Sequence, residues 1–288
     1  MRWMDGISDA LDYIENNITR ELRISDIAER AFMSAFYFQK GFSMLCGFTV
    51  GEYIRRRRLS LAGSELVSTD KKIIDIAMEY GYDSPDSFTK AFTRFHGVTP
   101  TAIRKDGATI KSFARLKINI SLEGGYIMDY KIVEKDAFTV MGASRMFKYD
   151  NSYAEIPKFW TEHYQTGKSE FVCGMYGMCI DDNKDPDEFE YLIADNYAPG
   201  NEIPAGFVTK VIPAHTWAVF SCKGAMPKAL QDVNGKIFSE WLPNNKDYEI
   251  AAGYNIEFYT DIADYPKGNQ DENYYSEIWI PVVKSSAS

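Results

Sequence analysis

Glu257 and Glu277 are the acids of this 288-residue chain whose surroundings most plainly suggest chemistry. Each lies in a stretch that alternates as a strand does, with successive side chains on opposite faces. In NIEFYTDI, Ile256 and Phe258 share one face and Glu257 and Tyr259 the other. In YYSEIWIPVV, Ile278 and Ile280 oppose Tyr275, Glu277 and Trp279. If both aliphatic faces pack on helices, the opposite faces bring two carboxylates together among rings. A site of that kind binds lipophilic cations, because the acid attracts the charge and aromatic faces add cation–π attraction. Trp217 and Tyr176, on neighbouring strand-like stretches, are further candidate walls. The plainer reading leaves the acids on a solvated face and the rings as ordinary strand formers.

Other chemistries find no pattern. There is no GxSxG, no P-loop and no glycine-rich dinucleotide fingerprint. His96, His163 and His215 are scattered without cysteine or carboxylate at ligand spacing, so neither a metal site nor a cofactor is expected. Cys46, Cys173, Cys179 and Cys222 form no CxxC pair, which suits reduced thiols in a cytoplasmic protein. No apolar run reaches membrane-spanning length, so no membrane partner is expected.

The elements around these residues fall into two classes. From residue 126 onward apolar positions alternate, and the pattern of strand, helix, strand, strand occurs twice. AFTVMG, AEIPKFWTEHY, GMYGMCIDD and EFEYLIADN make the first copy; HTWAVFSCKG, PKALQDVNGKIFSEWL, AAGYNIEFYTDI and YYSEIWIPVV make the second. The repeat sets Glu190 against Glu277. Before residue 107 the spacing is helical. Ile73, Ile74, Ile76 and Ala77 line one short helix; Gly81 ends it where positive φ is needed. Ser84 or Asp83 caps the next, Pro85 opens it, and Phe88, Ala91, Phe92 and Phe95 form its buried stripe. Asp86, Ser87, Thr89, Lys90, Thr93 and Arg94 then point outward, the layout of a helix-turn-helix whose second helix lies in a major groove. An earlier copy runs from Ile24, Ile27 and Ala28 through Phe32 to SAFYFQKGF, and Val50 to about Ser68 forms a connecting helix.

The pattern IA…GY.S…F.KAF…G.TP..IR closely resembles the DNA-binding domain of the AraC/XylS transcription regulators. That resemblance implies base-reading positions at Phe36, Gln39 and Lys40 in the first unit and at Asp86, Thr89 and Lys90 in the second. Gln and Lys suit adenine and guanine edges, and an acid can accept from cytosine N4. The second half resembles gyrase-inhibitor-like effector-binding domains, with SEIWIPV its most specific piece, and the two together resemble the Rob group. The implied fold is two domains: an all-α double helix-turn-helix domain over 1–107, a link over 108–125, and an α+β domain of two pseudo-repeated halves over 126–288. The implied function is a ligand-responsive regulator, with double-stranded DNA, a small-molecule effector and RNA polymerase as partners.

The charge agrees once it is divided. The chain carries −9 overall, but residues 1–107 hold 15 basic and 15 acidic residues, leaving 17 against 26 in the remainder. Arg55, Arg56, Arg57 and Arg58 cannot all face one way on a helix, and Arg55 and Arg57 are the candidate phosphate contacts. Two alternatives stay open for the second half: a small-molecule hydrolase using Glu257 or Glu277 as general base, or a module that binds only another protein.

Overall fold

The computed structural model describes residues 3–106, 109–117, 128–149, 151–181 and 188–285. The chain divides into two compact units, residues 1–32 with 46–121 and residues 33–45 with 122–288. The helix that the sequence places in the first helix-turn-helix is thus grouped with the second half.

In the first unit, α1 (Trp3–Asn16) buries Ile7, Ala10, Leu11 and Ile14 beside α2 (Ile24–Arg30). Helix α3 (Ala35–Cys46) belongs, as far as Leu45, to the second unit. Helix α4 (Val50–Ser68) is capped by Thr49, whose hydroxyl accepts from the Glu52 N–H. Leu59, Ala62 and Leu66 of α4 join Ile76, Ala77 and Tyr80 of α5 (Ile73–Glu79), Phe88 and Phe92 of α6 (Pro85–His96), and Ile103 of α7 (Pro100–Asp106) in one core. Ser84 caps α6, and Gly81 turns at φ +79° as its position requires. The corresponding turn after α2 is made by Phe32, at φ +56° without the freedom of glycine.

The second unit is built on one antiparallel sheet. Its strands are β1 (Tyr130–Lys135), β2 (Phe138–Lys148), β3 (Tyr176–Ile180), β4 (Glu188–Asn196), β5 (Val208–Ile212), β6 (His215–Lys223), β7 (Tyr248–Ile250), β8 (Tyr254–Tyr259) and β9 (Tyr275–Lys284). The order is β1-β6-β9-β8-β3-β4-β2-β5, with β7 added to β9. Read from the centre outward, β8-β9-β6-β1 mirrors β3-β4-β2-β5, so the internal repeat is a physical one. In the first half α8 (Ser152–Gln165) packs on β2; in the second, α9 (Lys228–Lys236), continued by a π-type turn over Ile237–Trp241, packs on β6 and β9.

Ile180 lies opposite Tyr254 and Glu190, and Phe258 opposite Tyr176 and Glu277, a pairing compatible with setting Glu190 against Glu277. Glu190 also lies opposite Met146 and forms an ion pair with Lys210.

Candidate functional site

The two acids lie on opposite faces of the sheet. Strands β8 and β9 pair Ile256 with Trp279, Glu257 with Ile278 and Phe258 with Glu277. Ile256 and Phe258 therefore share the face of Glu277 and Trp279, and Glu257 and Tyr259 stand on the other. Alternation within each strand is as the sequence indicates, but the phase between strands is set by register, which alternation does not contain.

On the face away from α8 and α9, Trp279, Trp217, Tyr176 and Phe258 form a packed core with Val140, Met178 and Leu192. Trp217 is fully buried, 6.1 Å from Trp279 between ring centroids. Glu277 is satisfied there: one carboxylate oxygen accepts from Trp279 Nε1 at 2.6 Å, the other from the Tyr275 hydroxyl at 2.7 Å and from Lys131 Nζ at 3.3 Å. Lys135 Nζ lies 4.1 Å from the centre of the Trp279 ring. Burial holds the Lys135 ammonium below its ordinary pKa, with Glu277 pulling the other way. Both lysines come from β1, where alternation puts lysine and valine on the same face and so hides the strand from pattern reading. This face already holds its own cations.

On the helix-bearing face Glu257 is half-buried and makes no ion pair among the described residues. The Tyr259 hydroxyl donates to its Oε2 at 2.7 Å. Burial, then the Glu257 charge, pushes the Tyr259 phenol well above its ordinary pKa, so it remains a donor. Trp160 of α8 closes on the same place: its ring lies edge-on to Tyr259 at 5.6 Å, and its Nε1 donates to the Tyr191 hydroxyl at 2.9 Å. Tyr164 stacks on Trp160 at 6.0 Å and is half exposed. Gly177 leaves room for this arrangement. A Cβ there would run into the Tyr191 hydroxyl and stand 3.4 Å from Glu257 Oε2. Tyr191 and Trp160 are thus members the sequence reading missed; Trp160 fitted a core stripe, and Tyr191 was legible only as part of a strand, its place on the Glu257 face being set by register.

The candidate DNA readers are distributed unevenly. On α6, Asp86, Lys90 and Arg94 are exposed and Thr89 is half-buried. On α3, Phe36 and Gln39 are 4% and 6% exposed, and Lys40 is half-buried. Two of these three expected base readers, Phe36 and Gln39, are therefore not at the surface, and Lys40 is there only in part. Of the arginine run, Arg55 is exposed. Arg57 turns inward, against its assignment to phosphate: Nε and Nη2 meet Glu15 at 2.8 and 2.7 Å, with side chains 12% and 9% exposed. Arg56 pairs with Glu52, and Arg58 donates to the carbonyls of Ile18 and Arg20. The four thiols are unpaired; burial lifts Cys46 and Cys173 to about 11 and Cys179 and Cys222 to about 12, so none is a ready thiolate.

Comparison with known proteins agrees with this architecture. Residues 131–282 match the integron-associated effector-binding protein family and residues 27–106 a helix-turn-helix domain family. The activator AarP of Providencia stuartii is 41% identical over 98 residues, 34% of this chain and 73% of AarP. This chain is an AraC-type regulator with an integron-associated effector-binding domain. The regulatory protein SoxS of Escherichia coli K12 is 39% identical over 98 residues, 34% of this chain and 92% of SoxS. Among solved structures, SAV2435 bound to tetraphenylphosphonium covers 54% of this chain and 94% of its own, at 22% identity and a TM-score of 0.47. No helix among the described residues is long and apolar enough to cross a membrane, and no group of three or more metal-ligating side chains occurs among them.

Proposed function

We propose that this AraC-type DNA-binding regulator senses a lipophilic, drug-like cation at Glu257. The observation that carries the reading is a half-buried carboxylate without a cation partner among the described residues, walled by Tyr259, Tyr191, Trp160 and Tyr164 on the helix-bearing face. An acid taken partly out of water and left unpaired is costly, and a ligand cation relieves that cost while its rings meet the aromatic wall. Glu277, Trp279, Trp217 and Tyr176, candidates of equal standing in the sequence, serve instead as a packed core with its own lysines. DNA binding is assigned to residues 1–107 and sensing to residues 126–288, joined by residues 108–125. Thr89, Lys90, Asp86 and Arg94 read or hold DNA from α6, Phe36, Gln39 and Lys40 from α3, and Arg55 contacts phosphate. The name of AarP describes an activator; the same output here would bring in RNA polymerase as a partner.

Isothermal titration with tetraphenylphosphonium and a neutral compound of matched shape tests the site. The wild type should prefer the cation, and Glu257→Gln should abolish that preference while Glu277→Gln keeps it. Equal affinity for the two compounds in the wild type, or a preference untouched by Glu257→Gln, overturns the assignment.

A further inference from the structure

We propose that helix α3 is a built-in occupant of the effector groove, and that DNA and effector both act by taking it out of, or keeping it from, that groove. The inference rests on the two readings above, α3 as a DNA reader and Glu257 as the effector acid.

The groove follows from the repeat. Helix α8 covers one half of the sheet and α9 the other, which leaves the central strands β3 and β8 between them. On the helix-bearing face β3 offers Gly177 and Cys179, with Asp181 just past its end, and β8 offers Asn255, Glu257 and Tyr259. Helix α3 lies at the Asp181 and Asn255 end. The Phe36 N–H donates to Asp181 Oδ2 at 3.0 Å, the Tyr37 hydroxyl donates to the Tyr254 carbonyl, and Lys40 Nζ donates to Asn255 Oδ1 at 2.6 Å. The Phe36 ring packs on Phe189 at 5.4 Å and Tyr149 at 6.4 Å, and Tyr37 meets Phe238 at 6.4 Å. With α3 in place Asn255 is fully buried and Cys179 is 7% exposed.

Two consequences follow. The face of α3 that carries Phe36, Gln39 and Lys40 is turned onto the sheet, so the docked helix cannot offer it to a major groove. Docking is also incompletely satisfied: Gln39 Nε2 is buried without a hydrogen-bond partner among the described residues. A stranded buried amide is destabilising, whereas Gln39 on an adenine edge would have both partners. A polar residue that fits the dock poorly is accounted for by a second state in which it is used.

The groove couples this state to the effector. Asn255 and Glu257 are alternate residues on one face, about 7 Å apart along the strand. A ligand cation at Glu257 wider than that spacing meets the Lys40 ammonium at Asn255, so like charge and bulk together expel α3. The ligand then raises the fraction of molecules able to read DNA, and apparent affinity rises with that fraction.

The test uses the full chain. Tyr37→Phe combined with Asp181→Asn removes a hydroxyl and a charge from the dock while keeping its packing, and neither residue is a proposed reader. Affinity for a selected bipartite duplex should rise roughly tenfold. Gln39→Ala should change base preference more in this released background than in the wild type, and tetraphenylphosphonium should strengthen DNA binding by the wild type but not by the released variant. Hydrogen exchange on the wild type supplies a measurement free of folding effects: duplex DNA should deprotect residues 176–181 and 254–259 as α3 leaves. Unchanged affinity in the released variant together with undiminished protection of those strands on DNA overturns the proposal. The supporting readings fail separately. Tetraphenylphosphonium that does not bind sinks the effector assignment while the dock is still judged by the variant and by exchange. Gln39→Ala without effect on preference even in the released protein sinks α3 as a reader.

Discussion

Two glutamates in similar local sequence have opposite fates because of what each faces. Glu277 accepts from Trp279, Tyr275 and Lys131, so its charge is spent inside the sheet's core. Its replacement should read as stability: Glu277→Gln is expected to cost about 1–3 kcal/mol, since an amide cannot accept all three bonds and leaves Lys131 and Lys135 without their acid. Urea unfolding checks this, and a neutral result would return Glu277 to the list of ligand contacts. His96 makes a comparable argument in the first unit. Its ring is buried, with Nε2 against the Leu59 carbonyl at 3.0 Å and Nδ1 accepting the Lys111 N–H at 3.1 Å. Burial, opposed by the Leu59 bond, holds its pKa below the ordinary 6.5. The folded state thus resists the proton more than the unfolded state does. The stability His96 contributes is fully present above pH 6.5 and is lost as pH falls from there through the lower folded value. Calorimetric unfolding between pH 7.5 and 5.5 should show a falling midpoint whose slope is reduced in His96→Gln.

At the scale of elements, the helices were legible and part of the sheet was not. The α4 bounds and the α6 cap and stripe follow from apolar spacing, Ser84, Pro85 and Gly97, signals that act within a few residues. Strands β1, β5 and β7 carry no such signal. Two are short, and β1 places Lys131, Val133 and Lys135 on one face, so its polarity makes sense only beside β6. The same limit explains Arg57, whose direction depends on Glu15 forty-two residues away. Strain is the element-scale property most open to test. Phe32 adopts φ +56° where Gly81 serves in the second helix-turn-helix, and the residue is 71% exposed, so little packing offsets the conformation. Phe32→Gly should therefore be neutral or stabilising by up to about 1 kcal/mol in thermal melts, while Phe32→Ala keeps the strain. For the reading elements, Thr89→Ala or Lys90→Ala should alter preference at one half of a bipartite site by about 1–3 kcal/mol. Arg55→Ala should instead weaken all sequences alike and lower the salt slope by about 1. Binding-site selection at two salt concentrations separates the two behaviours.

At the scale of the whole chain, the uneven charge and the shared helix have one thermodynamic consequence. Residues 1–107 carry no net charge and the remainder −9, so the effector half attracts cations while the reading half is left to local contacts with phosphate. If α3 is the element that both ligands displace, the effect must be reciprocal: the factor by which tetraphenylphosphonium strengthens DNA binding equals the factor by which DNA strengthens tetraphenylphosphonium binding. A roughly tenfold factor corresponds to about 1.4 kcal/mol of coupling, within the range such switches use. Both sides can be measured on the same protein, one by fluorescence anisotropy of labelled duplex at saturating cation, the other by titration calorimetry at saturating duplex. Equal factors above one in the wild type, falling to one in Tyr37→Phe/Asp181→Asn, are the expected result. A factor below one would mean that the cation holds α3 in place, and a factor that survives in the released variant would route the coupling through some element other than α3.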